Sequence, residues 1–148
     1  MNRVRVVVLW VLLALVGSGC VFGDDDGAAG DGSMDGVWVV VEIDGQPVVV
    51  GDNTTDVPYV DIDGGDLTGS FGCADGRASF LMSDVVLSVE SLTPPTGSCA
   101  SVAVSFAENA LLDVLSAPEV GFTLDDDRMV WVAAGRQLVF EAASAPPS

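Results

Sequence analysis

From Gly36 onward, turn signals cut the chain roughly every eight to ten residues, and that rhythm constrains the fold more than any other feature. Gly36-Val37-Trp38-Val39-Val40-Val41-Glu42-Ile43 is a β-branched run with one aromatic, suited to a pleated and half-buried surface. Asp44-Gly45 reads as a two-residue hairpin turn, and Val48-Val49-Val50 as the returning strand, with Pro47 keeping its start at an edge. Further strands are expected at Pro58–Ile62, Leu67–Phe71, Arg77–Met82 and Val85–Val89. A closing set of three is expected around Gly121–Leu124, Arg128–Val132 and Gln137–Glu141. Connections this short join antiparallel neighbours, so the chain reads as a meander or barrel with no βαβ alternation and no sequence repeat.

One segment breaks the rhythm. Between Val102 and Leu115, the residues Ala103, Phe106, Ala107, Ala110, Leu111, Val114 and Leu115 recur in steps of three and four, which predicts a helix with one apolar face. Ser101 is placed to cap it, and Pro118 stops any continuation. The expected fold class is α+β and mostly β: a strongly curved antiparallel sheet, half-open and barrel-like, with one helix packed on it.

The start of the chain reads as an address. Arg3 and Arg5 precede the apolar run Val6–Val16, then Gly17-Ser18-Gly19 and Cys20. That is the layout of a secretory signal peptide, and the run is too short to span a bilayer as a helix, which takes about 20 residues. Cys20 directly after small residues resembles the lipobox of bacterial lipoproteins, in which the cysteine is lipidated and becomes the first mature residue; the usual Leu three positions earlier is Gly17 here. The expected organisation is a lipoprotein signal peptide at 1–19, lipidated Cys20 and an acidic Gly/Asp tether at 20–35, one folded domain at 36–143 and a tail at 144–148. The protein is then expected at the cell membrane, lipid-anchored and facing outside the cytoplasm.

Charge excludes one class of partner. The 148 residues carry 22 acids against 5 arginines, with no lysine and no histidine, for a net charge of −17. Removing residues 1–19 takes two arginines and no acid, so the charge becomes −19. Such a surface repels phosphate backbones, and no nucleic-acid partner is expected. Asp24-Asp25-Asp26 lacks the spaced pattern of a calcium loop.

With Cys20 acylated, Cys73 and Cys99 are left as a pair outside the cytoplasm, and a structural disulfide is expected between them. A redox role lacks a C-x-x-C spacing and any lysine or histidine to depress a thiol pKa. Zinc lacks ligands, since two cysteines without histidine are too few. A hydrolase would have to work with two carboxylates, and Glu42, Glu90, Glu108 and Glu119 stand in no motif. No catalytic residue, metal or cofactor is therefore expected.

The residues Gly36-Val37-Trp38, Gly69-Ser70-Phe71-Gly72-Cys73-Ala74, Thr93 and Thr96 before Cys99, and Leu138-Val139-Phe140 together resemble the META domain, or HslJ-like, family of bacterial envelope proteins. The resemblance runs from Gly36 to about Ala142. Ala74 stands where the family has Asn after the cysteine. The resemblance implies a curved antiparallel sheet with one helix, an envelope location, an association with stress and no established catalytic activity. The function expected is that of a lipid-anchored, non-enzymatic META-domain protein of the envelope with a binding or envelope-stress/integrity role, and with an envelope protein or small ligand as partner. The alternative is a lipocalin-like carrier of a small apolar ligand or peptide.

Overall fold

A computed structural model describes residues 33–48, 57–99 and 101–147. Among the described residues, nine strands and one helix follow in the order β1 (Gly36–Ile43), β2 (Gln46–Pro47), β3 (Tyr59–Asp63), β4 (Asp66–Ser70), β5 (Asp75–Met82), β6 (Val86–Thr93), α1 (Val102–Leu115), β7 (Glu119–Asp125), β8 (Arg128–Ala133) and β9 (Arg136–Ala143). Every pairing is antiparallel, each long strand lies beside its successor, and β9 returns to pair with β1. The curved sheet expected from the sequence is present, and its curvature runs to closure. β1 and β3 to β9 form an eight-stranded barrel, which leaves no long edge exposed. Two-residue β2 shares one side of β1 with β3, pairing at Glu42 and Ile43 while β3 pairs from Gly36 to Val39. Within the described residues the returning pairing begins at Gln46, before the expected Val48. Val48 still donates its N–H to Val41 O at 2.9 Å, and Val49 and Val50 lie outside the described residues.

Two bulges re-aim side chains. Val40 pairs with Phe140 and Glu42 with Val139, so Val41 is an extra residue on β1. The bulge shifts the inward set by one, from Trp38 and Val40 to Ile43. A second bulge places Glu90 as the extra residue on β6, between Ser79–Ser91 and Phe80–Val89.

Side chains fill the barrel interior. Trp38, Trp131, Phe71, Phe140, Ile62, Leu67, Met129 and Leu138 are fully buried there, and Trp131 and Phe140 pack with ring centroids 4.7 Å apart. Trp38 keeps its indole satisfied by donating Nε1–H to Met34 O at 2.7 Å. Met34 is itself 2% exposed, and the Asp35 carboxylate accepts from Gly64 N–H at 2.9 Å. This corrects the boundary drawn at residue 36: Met34 and Asp35 belong to the domain, because an apolar side chain and a long-range hydrogen bond fasten them to it. Cys20 and the rest of the segment before Ser33 lie outside the described residues. Among the described residues, no helix is long and apolar enough to cross a membrane.

Antiparallel alternation sorts the connections into two mouths. The β1–β2 turn, the β4–β5 turn, the β6–β7 connection and the β8–β9 turn lie at one end. The β3–β4, β5–β6 and β7–β8 turns lie at the other, with the N-terminal entry at Met34 and the end of β9. The helix is inserted in the β6–β7 connection and therefore covers the first mouth. Its buried residues Ala107, Ala110, Leu111, Val114 and Leu115 join the barrel core.

Candidate functional site

The chemically distinctive residues gather at the helix-covered mouth. Cys73, in the β4–β5 turn, and Cys99, just before the helix, are joined by a disulfide with a Cα–Cα distance of 5.0 Å across a sequence separation of 26. The bond ties the sheet to the helix entry. The turn itself lies against the helix. A Cβ on Gly72 (φ +131°) would stand 2.9 Å from Val104 Cγ1 and 3.1 Å from Val104 O. On Gly76, a Cβ would stand 2.6 Å from the Phe71 ring. Only glycine lets turn, helix and buried aromatic approach this closely.

Ala107, Ala110, Leu111, Val114 and Leu115 of the expected apolar face are buried, and the helix departs from that reading only in its first turns. Val104 is buried, whereas Ala103 is exposed and Phe106 is 46% exposed. Phe106 instead lies under the Arg136 guanidinium, 5.4 Å from its centroid. Ser101 precedes the helix in extended conformation but makes no side-chain cap; its carbonyl accepts the Ser105 N–H at 3.0 Å. The Val104 side of the first turns lies against Gly72, in the turn that carries Cys73.

That side also brings in Glu108, one turn beyond Val104. Its Oε2 is buried without a hydrogen-bond partner among the described residues. A carboxylate oxygen of Glu108 and the sulfurs of Cys73 and Cys99 all lie within 4.8 Å of one another. In the sequence Glu108 is an acid on the helix's polar side; only the spacing from Val104 could have placed it inward.

On the other flank of the helix, Arg136 clasps three elements. Its Nη1 donates to Asp44 Oδ2 at 2.8 Å, and Nη2 and Nε donate to Asp113 Oδ2 at 3.1 and 3.2 Å. Asp44 Oδ1 accepts from the Gln137 N–H at 2.9 Å, and the Asp44 N–H donates to Gln137 O at 2.8 Å. The Gln137 N–H, and then the Arg136 side chain, hold the Asp44 carboxyl below its ordinary pKa, while Asp44 first and Asp113 next raise that of Arg136. The sequence contains no signal that would select these two partners from so many acids.

Between β2 and the start of the helix lies an apolar groove of about 670 Å³ lined by Ile43, Pro47, Val48, Val102, Phe106 and Ala107. Val102 is 89% exposed at its rim. At the opposite mouth, a groove of about 570 Å³ runs past Met34, Met82, Val85, Phe122 and Leu124, and Asp84 also lines it.

The META domain profile matches residues 33–145, which span the barrel, the helix and the Met34 anchor. The chain belongs to the META domain family. Its fold is also that of two proteins solved by NMR. One is 18% identical with a TM-score of 0.60, covering 72% of this chain and 87% of that one. The other, from Burkholderia xenovorans, is 20% identical with a TM-score of 0.58, covering 75% and 83%. No curated protein matches the chain. In this META domain three of the four short motifs have a packing cause, while Thr93 and Thr96 are exposed. Trp38 fills the core and is held by Met34, Phe140 packs on Trp131, and Gly72 admits Val104. A Cβ on Gly69 would collide with Tyr59 O and stand 2.9 Å from Val60 Cα. Ala74, in place of the family's Asn, offers only its carbonyl, which accepts the Phe71 N–H at 3.1 Å.

Proposed function

We propose that this META domain is a non-enzymatic binding module of the bacterial envelope. It is held at the outer face of the cell membrane by a lipid on Cys20, and it presents its helix-covered mouth to an envelope protein. The observation that carries this reading is the polarity of the barrel. The chain enters at Met34 in one mouth, and the helix and the groove beside Phe106 occupy the other. The 12 residues between Cys20 and Ser33 can span at most on the order of 40 Å. A lipid at Cys20 therefore tethers the domain by the Met34 mouth, and the groove lies at the mouth opposite the attachment. Two supports stand beside it: the lipobox-like sequence at Cys20, and the absence of histidine, the commonest general base, and of lysine. The carrier alternative is less favoured, because large side chains fill the barrel where a lipocalin holds its ligand. A photo-crosslinking residue at Val102, in intact cells, should capture one envelope protein, and the same residue at Asp126 in the other mouth should not. Equal capture at both positions, or membrane retention of Cys20→Ser at the normal mature mass, would refute the reading.

A further inference from the structure

The Cys73–Cys99 pair has a neighbour that a purely structural disulfide does not need. Glu108 has a carboxylate oxygen beside the two sulfurs, and its Oε2 is buried without a partner among the described residues, although a buried carboxylate oxygen left unsatisfied is costly and is normally paired. The chain has no lysine or histidine to pair with it, while Arg136 is engaged by Asp44 and Asp113 and Arg128 by Glu141. One of the Glu108 carboxylate oxygens lies within 4.8 Å of both sulfurs, and all three residues are half-buried rather than sealed.

We propose that, once the disulfide is reduced, Cys73, Cys99 and Glu108 form a binding site for a borderline-soft divalent cation such as Zn²⁺, with the fourth position left to water. A dithiol donor of the thioredoxin-like class supplies the two electrons. One of its thiolates attacks a sulfur of the Cys73–Cys99 bond, its second thiol resolves the mixed disulfide, and the donor leaves as its own disulfide. Cys73 and Cys99 then carry one proton each, and the cation displaces both on binding. Two thiolates and a carboxylate are a ligand set that zinc accepts, and thiolates select against magnesium and calcium. Tetrahedral ligands about one cation stand closer to one another than 4.8 Å, so small side-chain rotations suffice once the sulfurs are no longer bonded. A shallow groove lined by Cys99, Ser105 and Asn109 gives water and the cation access to this side of the turn. In this reading the oxidised and metal-bound states are alternatives: the same two sulfurs staple the turn to the helix either directly or through the cation.

The test uses the full chain in mild detergent, with Cys20→Ser so that only two thiols exist. It is reduced anaerobically with a phosphine and titrated with Co²⁺ as a spectroscopic probe. One equivalent of Co²⁺ should produce thiolate-to-cobalt charge-transfer absorption that Zn²⁺ abolishes, and the oxidised protein should show none. Glu108→Gln should weaken Co²⁺ binding tenfold or more, while Asp84→Asn at the other mouth leaves it unchanged. If reduction alone loosens the fold, Zn²⁺ should restore the circular dichroism of the oxidised protein. Absence of the charge-transfer band, equal affinity in Glu108→Gln, an equal loss in Asp84→Asn, or a reduced chain that Zn²⁺ fails to refold would each overturn the site.

Discussion

Gly72 and Val104 are in contact so close that the glycine's missing side chain is part of the interface: a Cβ there would stand 2.9 Å from Val104 Cγ1. The β4–β5 turn and the first turns of the helix are pressed together at this point, next to the disulfide. Gly72→Ala should therefore destabilise the domain by about 1–3 kcal/mol, since overpacking a tight contact forces backbone or rotamer shifts. Urea denaturation checks this against Gly97→Ala, whose Cβ would meet only Ala74 Cβ at 3.5 Å, an ordinary contact. Equal effects of the two substitutions would contradict the interface.

The staple nearby is expected to be worth more. Cys73→Ser should cost about 2–5 kcal/mol in unfolding free energy, the range seen when a small secreted domain loses a native bridge. A non-reducing peptide map should join the Cys73 and Cys99 peptides. Two titratable thiols at these positions in the folded, unreduced protein would contradict the bond.

The helix face can be tested by two truncations. Val104→Ala should cost about 1–3 kcal/mol, because the side chain is buried against the cysteine turn. Phe106→Ala should cost no more than about 1 kcal/mol, since a half-exposed ring over Arg136 contributes chiefly a surface cation–π contact. Thermal melts of the two variants should rank in that order.

Asp44 sets an acid dependence. Its folded-state pKa lies below its unfolded value, so its contribution is present above the unfolded value, near pH 4, and is lost as pH falls through the folded value. Asp44→Asn removes that contribution. The melting-temperature difference between wild type and Asp44→Asn should hold steady above about pH 5 and shrink as pH falls below about 4. The contribution itself is small, since Asp44 and Arg136 are partly exposed to water. A difference that grows on acidification would reverse the sign and refute the assignment.

Much of the β framework was legible along the chain. Leu67 to Phe71, Arg128 to Val132 and Gln137 to Glu141 were expected as strands and lie in or within one residue of β4, β8 and β9. Their boundaries are written locally, in Asp63-Gly64-Gly65-Asp66, in Asp125-Asp126-Asp127 and at Gly135. The helix was expected from Val102 to Leu115 and occupies those residues, because its period and Pro118 are also local signals. The face of its first turns was not legible. Starts through Ala103 and Phe106 or through Val104 both lead to Ala107, Ala110 and Leu111 in steps of three and four. The structure buries Val104, against Gly72 about 30 residues away.

The sequence by itself determined the turn-punctuated antiparallel order, the helix and the inventory of side chains: three cysteines, no histidine, no lysine and a large excess of acids. Each of these depends only on residues near one another in the chain, or on composition. Tertiary structure alone decided that β1 closes on β9, that Val41 and Glu90 bulge, that Met34 enters the core, and that Arg136 gathers Asp44 and Asp113. It also decided that Glu108 faces the two cysteines. These are relations between distant segments, and no local propensity encodes which of many similar strands or acids will meet. Closure of the barrel makes that choice, because once each strand has its neighbour, side-chain direction follows from register.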